Sequence, residues 1–158
     1  MAPSRWLADE MVGRLARYLR FVGLDTLYAR GLSDEEILRR ASEEGRILVT
    51  RDRALARRAP RAVLLTSPRL SEQWAQVRAV HPEVPFEVRF DRCTECNGLL
   101  RVEDPASAAS WPEGVPRDRV ANGLAIYRCE ACGHLYWEGT HTARIRIQLA
   151  VWAGEARE

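Results

Sequence analysis

The four cysteines of the chain fall as two identical pairs, Cys93-Thr94-Glu95-Cys96 and Cys129-Glu130-Ala131-Cys132, with 32 residues between them. Two residues between thiolates let both sulfurs of a pair reach one tetrahedral ion from a tight turn, and two such pairs complete a closed shell. Asn97-Gly98 after the first pair and Gly133 after the second supply turn residues. The spacing predicts a structural zinc site held by Cys93, Cys96, Cys129 and Cys132. Redox pairs or disulfides use the same spacing, but a duplicated motif in a chain without secretory features argues against them. A closed shell leaves no position for water, so catalysis belongs to the other half.

The region before about Phe90 has no cysteine and is rich in Leu, Val, Ala and Arg. We therefore expect two modules, residues 1–85 and residues 86–158. Residues 1–80 hold 15 arginines and 10 acidic side chains, a net +5, and residues 81–158 hold 9 and 12, a net −3. A basic module joined to an acidic metal module suits a polyanionic partner, although +5 is modest. The chain has no lysine, which excludes Schiff-base chemistry and a Walker-type phosphate loop. Every cationic contact must come from arginine, whose planar fork suits phosphate. No apolar run has signal-peptide or membrane-spanning length, and reduced metal-binding thiols predict a cytoplasmic address with no membrane partner.

Residues 5–8 read as a strand ending at Asp9-Glu10. Met11, Leu15, Tyr18, Leu19 and Val22 recur at helical spacing, with Gly23 as the stop. Asp25 to Ala29 reads as a strand, and Ser33-Asp34-Glu35-Glu36 is a capping box that opens a helix closing at Gly45. The run Arg46 to Thr50 predicts a strand buried on both faces. A short helix over 52–59, a strand over 62–66 and a helix over 71–80 complete a βαβαβαβα order, which implies a parallel sheet covered on both faces. The alternation Phe86-Glu87-Val88-Arg89-Phe90 predicts a connecting strand, and Val120 to Arg128 another, with Pro105 to Pro116 as loop. Thr142 to Trp152 fits a final helix, but Ile145 and Ile147 alternate as a strand would.

Ligands of open parallel sheets bind beyond the carboxyl ends of the strands. Asp9 follows the first strand, Asp52 follows the third, and Asp34 begins the helix after the second, so all three should open onto that edge. Clustered carboxylates without a lysine call for a cation, and hard oxygen ligands select Mg²⁺ or Mn²⁺. Asp34 also fits a first-turn acid favoured by the helix dipole, Asp52 also fits a helix cap, and Glu35 is an alternative to Asp34. Arg14, Arg17 and Arg20 stripe the first helix, and Arg51 and Arg53 flank Asp52. Trp137 and Trp111 would either stack unpaired bases or fill a small core.

The stretch Leu7-Ala8-Asp9-Glu10-Met11-Val12-Gly13-Arg14-Leu15-Ala16-Arg17-Tyr18-Leu19-Arg20, then Leu32 to Ile37, then Ile47-Leu48-Val49-Thr50-Arg51-Asp52-Arg53 resembles the PIN-like ribonuclease family with a C-terminal zinc ribbon. This is the RNase domain at the C-terminus of the nematode Mutator exonuclease and in its free-standing prokaryotic relatives. The resemblance extends through both cysteine pairs and Tyr136-Trp137-Glu138-Gly139-Thr140-His141. It implies a three-layer PIN-like domain followed by a small zinc ribbon. It also implies that Asp9, Asp34 and Asp52 match the acidic metal ligands, with Thr50 as the hydroxyl that orients the site. Arg14, Arg17 and Arg51 become phosphate grips. Ala54 stands where PIN nucleases commonly carry a further acid, a departure that bears on a second metal.

The expected function is hydrolysis of RNA, including structured RNA such as tRNA, by a carboxylate-held Mg²⁺ or Mn²⁺ that activates water. The competing reading is a non-catalytic RNA-binding or adaptor protein with a degenerate PIN core, the zinc ribbon making contacts to RNA or to a protein partner. A phospho-receiver domain would share the clustered acids but needs a lysine that the chain lacks. Leu and Trp near the C-terminus, if exposed, would permit a homodimer.

Overall fold

A computed structural model describes residues 2–154. Four parallel strands, β1 (Arg5–Ala8), β2 (Thr26–Tyr28), β3 (Arg46–Thr50) and β4 (Ala62–Leu64), form a sheet in the order β2-β1-β3-β4. Trp6 stands opposite Thr26 on one side and Ile47 on the other, so β1 and β3 are the central strands. Side chains alternate across the sheet, and the two faces bury separate cores. Trp6, Ala8, Ile47, Val49 and Val63 pack with Leu15 and Leu19 of α1 (Gly13–Phe21) and Trp74 and Val77 of α4 (Leu70–Val80). Leu7 and Leu48 pack with Ile37 of α2 (Asp34–Glu43) and Leu55 of α3 (Arg53–Arg58). The chain moves one way from β1 to β2 and the opposite way from β2 to β3 and β4, so crossovers of one hand place α1 on the face opposite α2 and α3. The continuous burial of β3 follows from these two covered faces.

The second half builds a three-stranded antiparallel sheet from β5 (Leu100–Val102), β6 (Tyr127–Cys129) and β7 (Leu135–Tyr136), in that order. A 3₁₀ helix (Pro105–Ser110) and α5 (Arg117–Ala121) lie between β5 and β6, over a small core of Trp111, Val115, Ile126 and Leu135. Trp111 is a core residue whose indole N–H donates to Glu103, which removes it as a base-stacking surface. The strand expected over Val120 to Arg128 is limited to its last residues, because Asn122 caps α5 and Gly123 turns the chain at φ +98°. Phe86 to Phe90 forms no strand. Its alternation is real, with Val88 buried and Glu87 and Arg89 exposed, but it anchors a connector on the core and has no ladder partner.

The final segment is a helix, α6 (Thr140–Ala153). Ile147 is 63% exposed, so the Ile145/Ile147 alternation misleads, whereas Thr142, Ile145 and Leu149 share the buried stripe that helical spacing requires. Ile145 and Leu149 join the first core, and Trp152 packs 5.1 Å from Tyr18 and 5.6 Å from Trp74 between ring centroids. Of the apolar C-terminal residues considered for dimerisation, Leu149 is buried within the chain and Trp152 is half-buried. Among the described residues no helix is long and apolar enough to cross a membrane.

A buried polar network joins the two sheets. Asn97, at φ +70° in the turn after the first cysteine pair, accepts from the backbone N–H of Thr26 at 2.9 Å and donates to Asp25 at 2.7 Å. It thereby covers the open edge of β2. Arg20, only 5% exposed, donates to the carbonyls of Thr26 and Thr94. The expected arginine stripe ends at Arg17, because each three-residue step rotates about 60° short of a turn and carries Arg20 under the cysteine module.

Burial raises the carboxyl pKa of Asp25, but hydrogen bonds from Arg46 and Asn97, with the charges of Arg46 and Arg92, outweigh it and hold the group at about 2. The unfolded chain binds this proton first, near pH 4, so the contribution is complete above that pH and is lost as pH falls to about 2. Asp25→Asn is expected to lower stability by on the order of 2 kcal/mol at pH 7. In urea unfolding the gap from the parent should close between pH 4 and pH 2, and a gap constant over that range would contradict the assignment.

Candidate active site and four-cysteine metal centre

The cysteine pairs converge. Cys93 and Cys132 sulfurs lie 3.7 Å apart, those of Cys96 and Cys129 3.5 Å apart, and all four fall within 4.8 Å of one another. A tetrahedron with zinc–sulfur bonds of about 2.3 Å needs sulfurs about 3.8 Å apart, so the cluster fits a thiophilic ion such as zinc. Backbone N–H groups of Gly98 and Cys132 donate to Cys96 and Cys129, and the Tyr136 hydroxyl lies 3.0 Å from the Cys93 sulfur. A Cβ on Gly98 would stand 2.7 Å from the Cys129 sulfur and 2.9 Å from Ala131, so only glycine allows the turns to close on one point.

At the carboxyl edge of the parallel sheet, neighbouring strands β1 and β3 carry the acids Asp9 and Asp52. The sheet order reverses direction between these strands, which is the crevice where open α/β sheets bind ligands. Asp9 is 8% exposed; one carboxylate oxygen accepts from Met11 N–H at 3.0 Å and the other from the Thr50 hydroxyl at 2.6 Å. Thr50, fully buried, accepts in turn from Asp52 N–H at 3.0 Å, and one Asp52 oxygen accepts from Leu55 N–H as the cap of α3. One hydroxyl therefore fixes both acids. Asp34 is exposed at the first position of α2, after the Ser33 cap. Glu35 is exposed and lies 3.7 Å from Arg58. Among the described residues the cysteines are the one group of three or more His, Cys, Asp or Glu side chains with all ligand atoms within 4.8 Å. The structure thus links the Asp9 carboxylate to the Asp52 backbone through Thr50, and it does not bring Asp9, Asp34 and Asp52 together within 4.8 Å of one another.

The family model of the Mut7-C RNAse domain matches residues 4–149, from β1 through most of α6. The chain belongs to the Mut7-C RNAse domain family. No curated protein matches the chain, and no solved structure does. Membership of the Mut7-C family points to nuclease activity, with RNA as the substrate class.

In this Mut7-C domain, Arg14 and Arg17 are exposed on α1 and Arg51 is half-buried beside Asp52. Arg17 meets Glu95 of the first cysteine pair at 3.6 Å. Two residues that the sequence pattern did not single out hold the Asp9 loop. The Tyr28 hydroxyl donates to the Glu10 carbonyl at 2.6 Å, and a Cβ at Gly13 would stand 3.0 Å from that hydroxyl. The absence of a side chain at position 13 lets the Tyr28 ring approach this closely, and a Cβ there would push it back by a few tenths of an ångström. Both belong to local readings of a helix and a strand, and their contact depends on strand order.

Proposed function

We propose that the protein is a divalent-metal-dependent ribonuclease that hydrolyses RNA phosphodiester bonds at the carboxyl edge of the parallel sheet. In this reading residues 1–85 form a PIN-like nuclease module. Residues 86–158 form a zinc ribbon and a C-terminal segment whose helix α6 packs back on the first core. The observation that carries it is the Asp9–Thr50–Asp52 hydrogen-bond relay at the sheet crevice of a Mut7-C RNAse domain.

The donors at this edge are hard carboxylate oxygens, the set that suits Mg²⁺ or Mn²⁺ over softer metals. Asp9, Asp34 and Asp52 would hold such an ion after closing from a spread in which their oxygens do not all lie within 4.8 Å of one another, and Glu35, next to Asp34, is the alternative. A bound cation supplies a water of lowered pKa and offsets charge on the phosphoryl oxygens. Thr50 keeps one Asp9 oxygen oriented and fixes the backbone that presents Asp52. Arg14 and Arg51, without carboxylate partners among the described residues, are available for bidentate contacts to phosphate, and Arg17 joins them when its exposed pair with Glu95 opens.

Titration of zinc-loaded protein with Mn²⁺ tests the site. A ligand at a hundred times its Kd stabilises by about 2.7 kcal/mol, which for a chain of this length raises Tm by roughly 5 °C or more. The rise should vanish in Asp52→Asn. No rise at any concentration would count against a cation at these acids.

A further inference from the structure

Three surface clefts join along the exposed face of α1. The first lies against the β4–α4 loop and α6, with Arg14, Tyr18 and Arg69 in its walls. The second shares Arg14 and Tyr18 with it and adds Arg17, Phe21 and His141. Those last three also line the third cleft, of about 330 Å³, which opens between α1 and the four-cysteine module. One furrow therefore runs from Arg14, five residues from Asp9, to the turn at Thr94 and Glu95. Its charged walls are Arg14, Arg17 and Arg69, with Glu95 the one carboxylate.

The third cleft is aromatic on both sides. His134 and Tyr136 of the cysteine module stand 4.6 Å apart between centroids, Trp137 follows them half-buried, and Phe21 and His141 stand 5.8 Å apart with their rings tilted. The volume lies at the lower end of the ~300–1,000 Å³ range of small-ligand pockets, too small for a duplex or a folded partner. A cationic track leading to an aromatic pocket is the physical arrangement that holds single-stranded nucleic acid, the cations on the backbone and the rings on a base.

We propose that this cleft takes one unpaired nucleobase of an RNA strand whose backbone runs along α1 past Arg14 and Arg17 from the acidic edge. The inference rests on RNA being the substrate. The Arg17–Glu95 pair is half-exposed and costs little to part. Once parted, Glu95 can accept from a base amino group, which favours cytosine, adenine or guanine over uracil.

The test is fluorescence anisotropy with a labelled ten-nucleotide single-stranded RNA, on the zinc-loaded Asp9→Asn protein so that no cleavage intervenes. His134→Ala and Trp137→Ala should each raise Kd on the order of tenfold, with Trp137→Phe retaining most of the affinity. Trp137 also packs on the small core, whereas the His134 side chain is exposed, so the His134 variant keeps the test independent of folding. A single abasic position in the RNA should weaken binding by the parent and not weaken Trp137→Ala further. Unchanged Kd in both variants, or abasic losses equal in parent and variant, would overturn the proposal. Cleft-dependent binding by a wild type that cleaves no RNA would sink the ribonuclease reading alone, and cleavage without cleft dependence would sink this one alone.

Discussion

Cys129→Ser is expected to unfold residues 91–139 while the parallel sheet stays folded. Cys129 is buried with its sulfur 3.5 Å from that of Cys96 and an N–H from Cys132 upon it. The strands of this region are two or three residues long, and its core is four buried apolar side chains. Modules of this size need a staple. Structural zinc binds its ligands with an apparent ~10–16 kcal/mol, which becomes folding free energy because no site exists in the unfolded chain. The effect should spread in one direction. Thr94 and Asn97 hold Arg20, Asp25 and the open edge of β2, so loss of the module removes that cover and lowers the Tm of the remaining α/β layer by several degrees. Limited proteolysis should cut within residues 91–139 and leave α6 bound to the α/β fragment through Ile145, Leu149 and Trp152. An uncut variant with parent Tm would show that the cysteines carry no such role.

Asp9→Asn is expected to lower kcat/KM for RNA cleavage by roughly a hundred- to a thousandfold, the scale of losing one preorganised electrostatic group from an active site. The fold should survive. Asparagine retains an oxygen for Met11 N–H, but its amide nitrogen meets Thr50, whose hydroxyl already accepts from Asp52 N–H. The hydroxyl then loses its acceptor, at a cost of about 1–3 kcal/mol. Thr50→Val separates positioning from charge. Both carboxylates remain, and the relay from the Asp52 backbone N–H through the hydroxyl to the Asp9 carboxylate is lost. Cleavage should fall less than in Asp9→Asn, and Mn²⁺ should bind more weakly. Equal activity of Thr50→Val and the parent would show that the relay has no part in cleavage.

The parts of this structure legible in the sequence are those fixed by local physics. The uninterrupted apolar run of β3 requires two covered faces, Ser33 caps α2 through Glu36 N–H, and Gly23 ends α1 at φ +88°. The cysteine spacing announces its cluster for the same reason, since two residues between thiolates fix a turn. What the sequence hides depends on distant partners. Phe86 to Phe90 alternates as a strand does, yet alternation reports which side chains face a core and says nothing of a neighbouring ladder. Arg20 reads as a surface cation until the cysteine module covers it. Asn97 is an ordinary turn residue in sequence, and its role at the edge of β2 comes from packing between elements 71 residues apart. At the acidic edge, strand boundaries place Asp9 and Asp52, and family resemblance supplies Thr50. The bracing contact of Tyr28 with the Asp9 loop follows from the β2-β1-β3-β4 order.

The most direct measurement is a cleavage assay of the zinc-loaded protein on labelled single-stranded RNA, structured tRNA and DNA. Each is incubated with Mn²⁺, with Mg²⁺ and without added divalent metal, with Asp9→Asn alongside. A metal-dependent ribonuclease at the acidic edge gives cleavage of RNA that requires the added metal and is lost in the variant. RNA that stays intact under every condition, or is cut equally by Asp9→Asn, would contradict it.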